Sequence, residues 1–422
     1  MIWYKKTVKN HAGKNEACLK KYRLKTIVCA LAEIGLLAAS GMGSAAAEPI
    51  YYYTGNTEAA TDEENWKDAT GKPVTGIIVK TEGSANEYRF LSGIYDGKQT
   101  TGEVWLIGDD KDIQIVSEGP LIIQNWGMGG IPPNQGVITT TGQIVFGDNV
   151  SILENYSSGF NTKGGGALYS KKGIVFGDNA RLIHNQTAPP IGGPYFGGGA
   201  IFLDGDARSE IIFGKNALVE RNEANYGGAI YALGSVTFGE GTIIRGNRSA
   251  SQGGAIHIKG TLSLNSGSLV ESNRADGKSS TTYGGAFFID GGTANISGTT
   301  VRNNQTASTG WGGALYAQNG SVYLSDGTLM EGNEASIGGA MAVNKSTITV
   351  NNSSLKNNKA GNGGALFLAS SSITVGGQNS GETGTLFEGN SATTAGGAIY
   401  AQTSSTINLG SGTWFAENSA SK

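Results

Sequence analysis

From about residue 140 onward, short apolar runs alternate with polar, glycine-containing turns. One unit reads Ala229-Ile230-Tyr231-Ala232, then Ser235-Val236-Thr237-Phe238, then Thr242-Ile243-Ile244. Each run has the length of a short strand, and strands this short gain stability by stacking on copies of themselves. No segment after residue 47 keeps a helical period over a useful length. The pattern predicts an all-β chain with three short strands in each unit.

Two motifs set the period of the repeat. Gly-Gly-Ala followed by an apolar residue occurs about every 29 residues, a spacing typical of solenoid proteins. Its alanines are Ala167, Ala200, Ala229, Ala255, Ala286, Ala314, Ala340, Ala365 and Ala398. An apolar-x-x-Asn motif alternates with it, usually 18 residues after the alanine, whereas the return to the next alanine takes 7 to 15 residues. A rigid core joined by variable loops predicts a parallel, right-handed β-helix over residues 141–422, with three strands per rung.

The paired motifs resemble the repeats of the chlamydial polymorphic membrane proteins, a family of autotransporter adhesins. The family's Phe-x-x-Asn form has its Phe here only at Phe387 and Phe415, with other apolar residues in the remaining copies. The resemblance implies an exported passenger at the surface of a Gram-negative bacterium, or released from it, that binds a host-cell protein or glycan. It also implies an outer-membrane β-barrel partner, which we expect outside these 422 residues.

The first residues have the features of an export signal. A basic segment over residues 20–25 precedes an apolar stretch over 26–39, and Ala45-Ala46-Ala47 forms a cleavage site. We predict an extended signal peptide over 1–47, with an N-terminal membrane anchor as the alternative. Residues 48–140 fit the repeat poorly and are predicted to form an N-terminal β cap or degenerate first rungs.

Composition narrows the chemistry. Both cysteines, Cys18 and Cys29, lie in the predicted signal, and residues 48–422 carry a formal charge of −9. We therefore expect no cysteine metal site, no bound metal or cofactor, and no nucleic-acid partner. His184 and His257 are far apart in the repeat, which disfavours a Ser-His-Asp triad and indicates no catalytic residue. The alternative function is a β-helix polysaccharide lyase or hydrolase, for which the carboxylates of residues 204–208 are the candidate site.

Charges alternate at the position two residues before the motif asparagine. The residues are Glu220, Arg245, Glu271, Arg302, Glu331, Lys356 and Glu388. Stacked strands lie about 4.8 Å apart, so each charge would sit between opposite charges. We predict one outward column of these side chains.

The motif asparagines are expected to stack at one corner of the helix, each amide bonding the next. The predicted ladder contains Asn222, Asn247, Asn273, Asn304, Asn333, Asn358, Asn390 and Asn418. Asparagine also tolerates the left-handed backbone of a tight corner. Independent turns without stacking are the alternative.

An aromatic residue usually stands two positions after the Gly-Gly-Ala alanine. The predicted column contains Tyr169, Phe202, Tyr231, Phe288, Tyr316, Phe367 and Tyr400, with His257 and Ala342 in the remaining rungs. Its apolar neighbours should face the core, so the rings should point outward. An exposed column would be a binding surface for host proteins or glycans. The alternatives are cross-strand stacking that only stabilises the sheet, or cover by the variable loops.

Overall fold

A computed structural model describes residues 49–53, 66–81, 85–97, 106–107, 110–128, 136–157, 164–187, 197–277, 281–376, 384–402 and 404–421. The predicted signal peptide lies outside these residues. All regular secondary structure in the described ranges is β-strand, which confirms the all-β prediction. Within those ranges, no helix has the length and hydropathy needed to cross a membrane.

One rung contains four strands in a fixed order. In the rung that starts at Ala229 they are Ile230–Ala232, Ser235–Phe238, Ile243–Arg245 and Arg248–Gln252. Each strand pairs in parallel with its equivalent in the next rung. The strands therefore form sheets S1, S2, S3 and S4, in chain order. The predicted parallel β-helix is confirmed, and S4 is a strand position beyond the three that the sequence predicted.

The strand bounds follow this order through the molecule. S1 contains Leu106–Ile107 (β6), Ile138–Thr140 (β10), Leu168–Ser170 (β14), Ile201–Leu203 (β18), Ile230–Ala232 (β22), Ile256–Ile258 (β26), Phe287–Asp290 (β30), Leu315–Gln318 (β34), Met341–Asn344 (β37), Leu366–Ala369 (β41) and Ile399–Ala401 (β45). S2 contains Ile78–Thr81 (β3), Ala85–Phe90 (β4), Asp112–Ser117 (β7), Gln143–Phe146 (β11), Gly173–Phe176 (β15), Glu210–Phe213 (β19), Ser235–Phe238 (β23), Thr261–Leu264 (β27), Thr293–Ser297 (β31), Ser321–Ser325 (β35), Thr347–Val350 (β38), Ser372–Val375 (β42) and Thr406–Leu409 (β46).

The other two sheets end each rung. S3 contains Ile50–Tyr53 (β1), Trp66–Lys67 (β2), Gly93–Asp96 (β5), Leu121–Gln124 (β8), Val150–Leu153 (β12), Arg181–Ile183 (β16), Leu218–Glu220 (β20), Ile243–Arg245 (β24), Leu269–Glu271 (β28), Thr300–Arg302 (β32), Leu329–Glu331 (β36), Ser354–Lys356 (β39), Thr385–Glu388 (β43) and Thr413–Ala416 (β47). S4 has two parts, which isolated bridges at Glu334 connect. They contain Gly127–Met128 (β9), Tyr156–Ser157 (β13), Gln186–Thr187 (β17), Glu223–Tyr226 (β21), Arg248–Gln252 (β25), Arg274–Ala275 (β29) and Gln305–Thr306 (β33), and then Lys359–Asn362 (β40), Ser391–Ala395 (β44) and Ser419–Ala420 (β48).

The first strands differ from the repeat in their direction. β2 pairs antiparallel with β1 at the edge of S3, and β3 pairs antiparallel with β4 at the edge of S2. From β4 onward the S2 strands are parallel, and β10 joins β6 to β14 in S1 without a break at residue 140. Trp66 packs inside this end, with ring centroids 5.2 Å from Tyr95 and 6.1 Å from Trp126.

The Gly-Gly-Ala motif lies where the chain turns into S1. In one copy Gly284 has a φ of 65°, a left-handed conformation that favours glycine. A Cβ on Gly285 would overlap the carbonyl oxygen of Gly313 in the next rung. Ala286 is fully buried, so only a small side chain fits there. The motif is thus a packing requirement of closely stacked backbones.

Candidate functional site

The motif asparagines form a continuous buried ladder. Asn304 shows the geometry: its Nδ2 donates to Oδ1 of Asn333 and to the Val270 carbonyl, both at 3.0 Å. Its backbone N–H donates to the same Oδ1 at 2.9 Å, and its own Oδ1 accepts two bonds from Asn273. The ladder contains the eight predicted residues and also Asn155 and Asn185. Every amide in its middle is therefore satisfied inside the protein.

The left-handed residue at this corner is not the asparagine. Positive φ angles occur one residue earlier, for example at Asn303 (54°) and Gly332 (61°). The expectation that Asn itself takes this conformation is thus wrong. The tight turn comes first, and the following Asn then directs its side chain along the helix axis.

The alternating charges stand in one column on S3. Each is the direct register partner of the next, from Glu220 to Glu388. Ion pairs join Arg245 to Glu220 at 3.1 Å, Arg302 to Glu271 at 2.8 Å and Lys356 to Glu388 at 2.9 Å. Most of these side chains are half-exposed, but Glu220 is only 2% exposed and also meets Arg221.

The aromatic column is in register on the outer face of S1, but it is not exposed. The buried members are Tyr169, Phe202, Tyr231, His257, Phe288, Tyr316 and Phe367, each at most 4% exposed, and Tyr400 is half-buried. Centroids of successive rings are 4.6 to 5.7 Å apart. The expectation of an exposed binding column is therefore wrong. The variable loops cover the rings, which was one of the alternatives considered from the sequence.

A second row of side chains provides this cover. It consists of the residue before each of the last seven Gly-Gly pairs of the motif: Tyr226, Gln252, Tyr283, Trp311, Ile337, Asn362 and Ala395. Strand pairs and isolated bridges connect these positions from rung to rung. We call them the outer row. All of them are half-exposed, and Tyr226, Tyr283, Trp311 and Ile337 pack against the buried aromatic column.

Trp311 explains why one rung does without an aromatic ring. Its ring lies 6.1 Å from Tyr316 in its own rung and 5.4 Å from Phe367 two rungs later. Between those two rings stands Ala342, which is fully buried. Trp311 thus bridges the gap left by the small side chain.

His257 is the one titratable ring of that column other than tyrosine. It lies between Tyr231 and Phe288, with both centroid distances 4.6 Å, and neither ring nitrogen has a hydrogen-bond partner. Burial lowers the pKa of His257 to about 3, with opposing effects from Asp290, which raises it, and Lys259, which lowers it. Burial also raises the pKa of Tyr316 to about 12. These groups are neutral packing elements near pH 7.

The carboxylate insert has structural hydrogen bonds. Tyr169 donates its hydroxyl to Oδ2 of Asp204 at 3.0 Å, and the Arg208 N–H donates to Asp206 at 2.8 Å. His184 is far from His257 along the stack and lies 4.0 Å from Glu154. Among the described residues, no cluster of three or more His, Cys, Asp or Glu side chains could hold a metal ion.

The comparisons with known proteins identify the repeat. The model of the Chlamydia polymorphic membrane protein (Chlamydia_PMP) repeat matches residues 241–259 and 384–402. Each stretch contains one ladder asparagine, Asn247 or Asn390, and the Gly-Gly-Ala motif that follows it. These two segments are repeats of the Chlamydia polymorphic membrane protein type. The resemblance seen in the motifs is thereby confirmed. No curated protein and no solved structure matches the chain.

The sequence analysis did not identify the outer row. Its members directly precede the glycine pair, whereas the aromatic pattern was sought only after it. The signal was present, because Tyr226, Tyr283 and Trp311 each stand immediately before Gly-Gly. The chain length of the returning loop varies, so nothing in the spacing showed that it would fold back over S1.

Proposed function

We propose that this chain is an adhesive passenger displayed at the bacterial surface, which binds a host protein or glycan through the side of its β-helix. The match to the polymorphic membrane protein repeat carries the proposal. That family is associated with the outer membrane and cell surface, which supports a surface location. The β-helix suits this role because its side faces repeat along the axis and present many copies of one surface.

The stacking gives such a passenger length and rigidity. S3 has 14 strands, which at about 4.8 Å each extend about 60 Å along the axis. The buried asparagine ladder ties successive rungs at the corner between S3 and S4. A rod of this kind holds a binding face away from the membrane without a flexible linker.

Surface display can be tested in the native bacterium with antibodies raised against the purified chain. Labelling of intact cells, lost after brief external protease treatment, is the expected result. Labelling only after cell lysis would contradict the proposal.

Adhesion is tested separately with beads coated with the purified chain and incubated with cultured host cells. We expect saturable attachment that soluble chain competes away, with beads carrying heat-unfolded chain as the control. If the beads attach to none of the cell types tested, the adhesin proposal is contradicted. Release of new sugar ends from acidic polysaccharides by the chain would instead favour the lyase or hydrolase alternative.

A further inference from the structure

We propose that the aromatic part of the outer row is a binding site for an extended neutral glycan lying along the helix axis. The inference deepens the proposed function, on which it rests, by naming the surface and the class of ligand. The site consists of Tyr226, Tyr283 and Trp311, with Gln252 between the first two.

The first argument is that the fold does not require aromatic residues at these positions. Equivalent positions in the same row carry Gln252, Asn362 and Ala395 and keep the same backbone pairing. The repeat therefore provides its own comparison. The half-exposed rings of Tyr226 and Tyr283 keep part of their apolar surface in water, where it is available to a ligand.

The second argument is that the rings are held in place. The Tyr283 centroid lies 4.8 Å from Tyr316 and 6.1 Å from Phe288, and the Tyr226 centroid lies 5.8 Å from His257. These contacts to a buried column fix the orientation of the half-exposed rings before any ligand arrives. A fixed platform reduces the entropy lost on binding.

The third argument is the polar row that runs beside the buried column on S1. Two residues after the column, on the same outer face, stand Lys259, Asp290, Gln318 and Asn344. Asp290 accepts a hydrogen bond from Gln318 at 2.8 Å and lies 3.5 Å from Lys259. These polar groups lie on the outer face of S1 in the rungs whose outer-row positions are Gln252, Tyr283, Trp311 and Ile337, and carboxylate, amide and ammonium groups can hydrogen-bond the hydroxyl groups of sugars.

The shape of the row favours a glycan over a protein partner. The row is one residue wide and Gln252 interrupts it, so it forms no broad apolar patch of the kind that protein interfaces bury. From Tyr226 to Trp311 it spans three rungs, about 14 Å. A linear oligosaccharide of several units matches this narrow, elongated form.

The test uses the purified chain and an array of neutral linear oligosaccharides long enough to span the row. The loss variant is Tyr226→Gln with Tyr283→Gln, which introduces a residue that the row already carries at Gln252. Trp311 is left unchanged because it also fills the gap at Ala342. We expect the double variant to bind at least about tenfold more weakly than the unchanged chain.

A variant expected to raise the affinity keeps the test informative if the double variant does not fold. Gln252→Tyr completes the row of rings, and we expect affinity for the same oligosaccharide to rise by about threefold or more. The matched control is Tyr323→Thr, which removes an exposed ring from S2, where the register neighbours are Asn295 and Thr349. The control should bind like the unchanged chain, and thermal melting should show all variants folded.

Other results overturn the inference in distinguishable ways. If the unchanged chain attaches to host cells but binds no oligosaccharide, the adhesin proposal stands and the glycan site is refuted. The glycan site is also refuted if the double variant keeps its oligosaccharide affinity. It is refuted in favour of a protein partner if the unchanged chain attaches to cells whose glycans were removed enzymatically and the double variant does not. If the unchanged chain binds neither cells nor oligosaccharides, both proposals fail.

Discussion

Two columns lie two residues apart along the same rungs, one buried and one facing solvent. In the asparagine ladder, each Asn bonds its neighbour with both side chain and backbone, as Asn304 does with Asn333. In the charge column, ion pairs such as Arg302–Glu271 join side chains that remain 44% and 20% exposed. Both columns repeat with the same period, yet their contacts contribute differently to stability because the columns differ in their exposure to water. Water competes for the charged pairs and is excluded from the ladder.

The largest effect should follow from breaking the ladder with Asn304→Ala. The substitution leaves the Asn273 amide, the Val270 carbonyl and Oδ1 of Asn333 with fewer partners in a buried corner. We expect a loss of about 3–5 kcal/mol in the free energy of unfolding, measured by urea denaturation.

The control for the ladder is Asn303→Gly, one residue away. Asn303 is exposed and has a φ of 54°, and the equivalent position is already glycine at Gly332. This variant should stay within about 0.5 kcal/mol of the unchanged chain. Equal losses from the two variants would contradict the contrast between buried ladder and exposed corner.

Acid should destabilise the chain through a buried column. The pKa of His257 falls to about 3 in the folded chain from 6.5, so folding disfavours the charged ring. The stabilisation is therefore fully present above pH 6.5, the pKa of this histidine in the unfolded chain. As the pH falls below 6.5, the free energy of unfolding declines by about 1.4 kcal/mol per pH unit. The decline ends near the folded pKa of about 3.

The variant that checks this is His257→Phe, since Phe288 occupies the next place in the same column. At pH 4.5 it should be more stable than the unchanged chain by roughly 3 kcal/mol beyond any difference at pH 7. Urea unfolding of both proteins across this pH range is the measurement. Parallel pH profiles would show that the buried ring is not responsible.

The smallest effect should come from reversing one charge, Glu271→Lys. The new lysine would stand between Arg245 and Arg302 and remove the 2.8 Å ion pair. We expect a loss of about 1 kcal/mol at low ionic strength, most of which disappears at high salt. Lys345→Glu, an exposed charge outside the column, serves as the control and should change stability less. A salt-independent loss would indicate disturbed packing.

Much of the fold follows from the sequence because stacked rungs place equivalent residues in the same environment. The two motifs therefore predict parallel pairing, and the spacing of Asn304 and Asn333 predicts their contact. Cover over S1 was predicted only as an alternative to an exposed column, although the strands contain a sign of it. Ser235-Val236-Thr237-Phe238 alternates polar and apolar residues, as expected for S2 with one face in water.

Ile230-Tyr231-Ala232 of S1 is apolar at all three positions, which is typical of a strand buried on both faces. The middle ring was predicted to be exposed because only the core inside the β-helix was considered, and the ring points away from that core. The chain between ladder and glycine pair has no fixed length, so its path could not be obtained from spacing. The same reason kept the outer row and the strands of S4 out of the predicted structure.

The asparagine ladder has a consequence for how the chain can be assembled. Its side-chain bonds connect residues 25 to 37 positions apart, however far along the rod they lie. The entropy of loop closure depends only weakly on separation over this range, so each added rung costs about the same to close as the one before. Growth of the rod becomes a linear polymerisation of the chain onto its own folded end. An unfolded polypeptide that emerges from a narrow pore can therefore fold as it emerges. The free energy released by each completed rung then opposes movement of the polypeptide back into the pore.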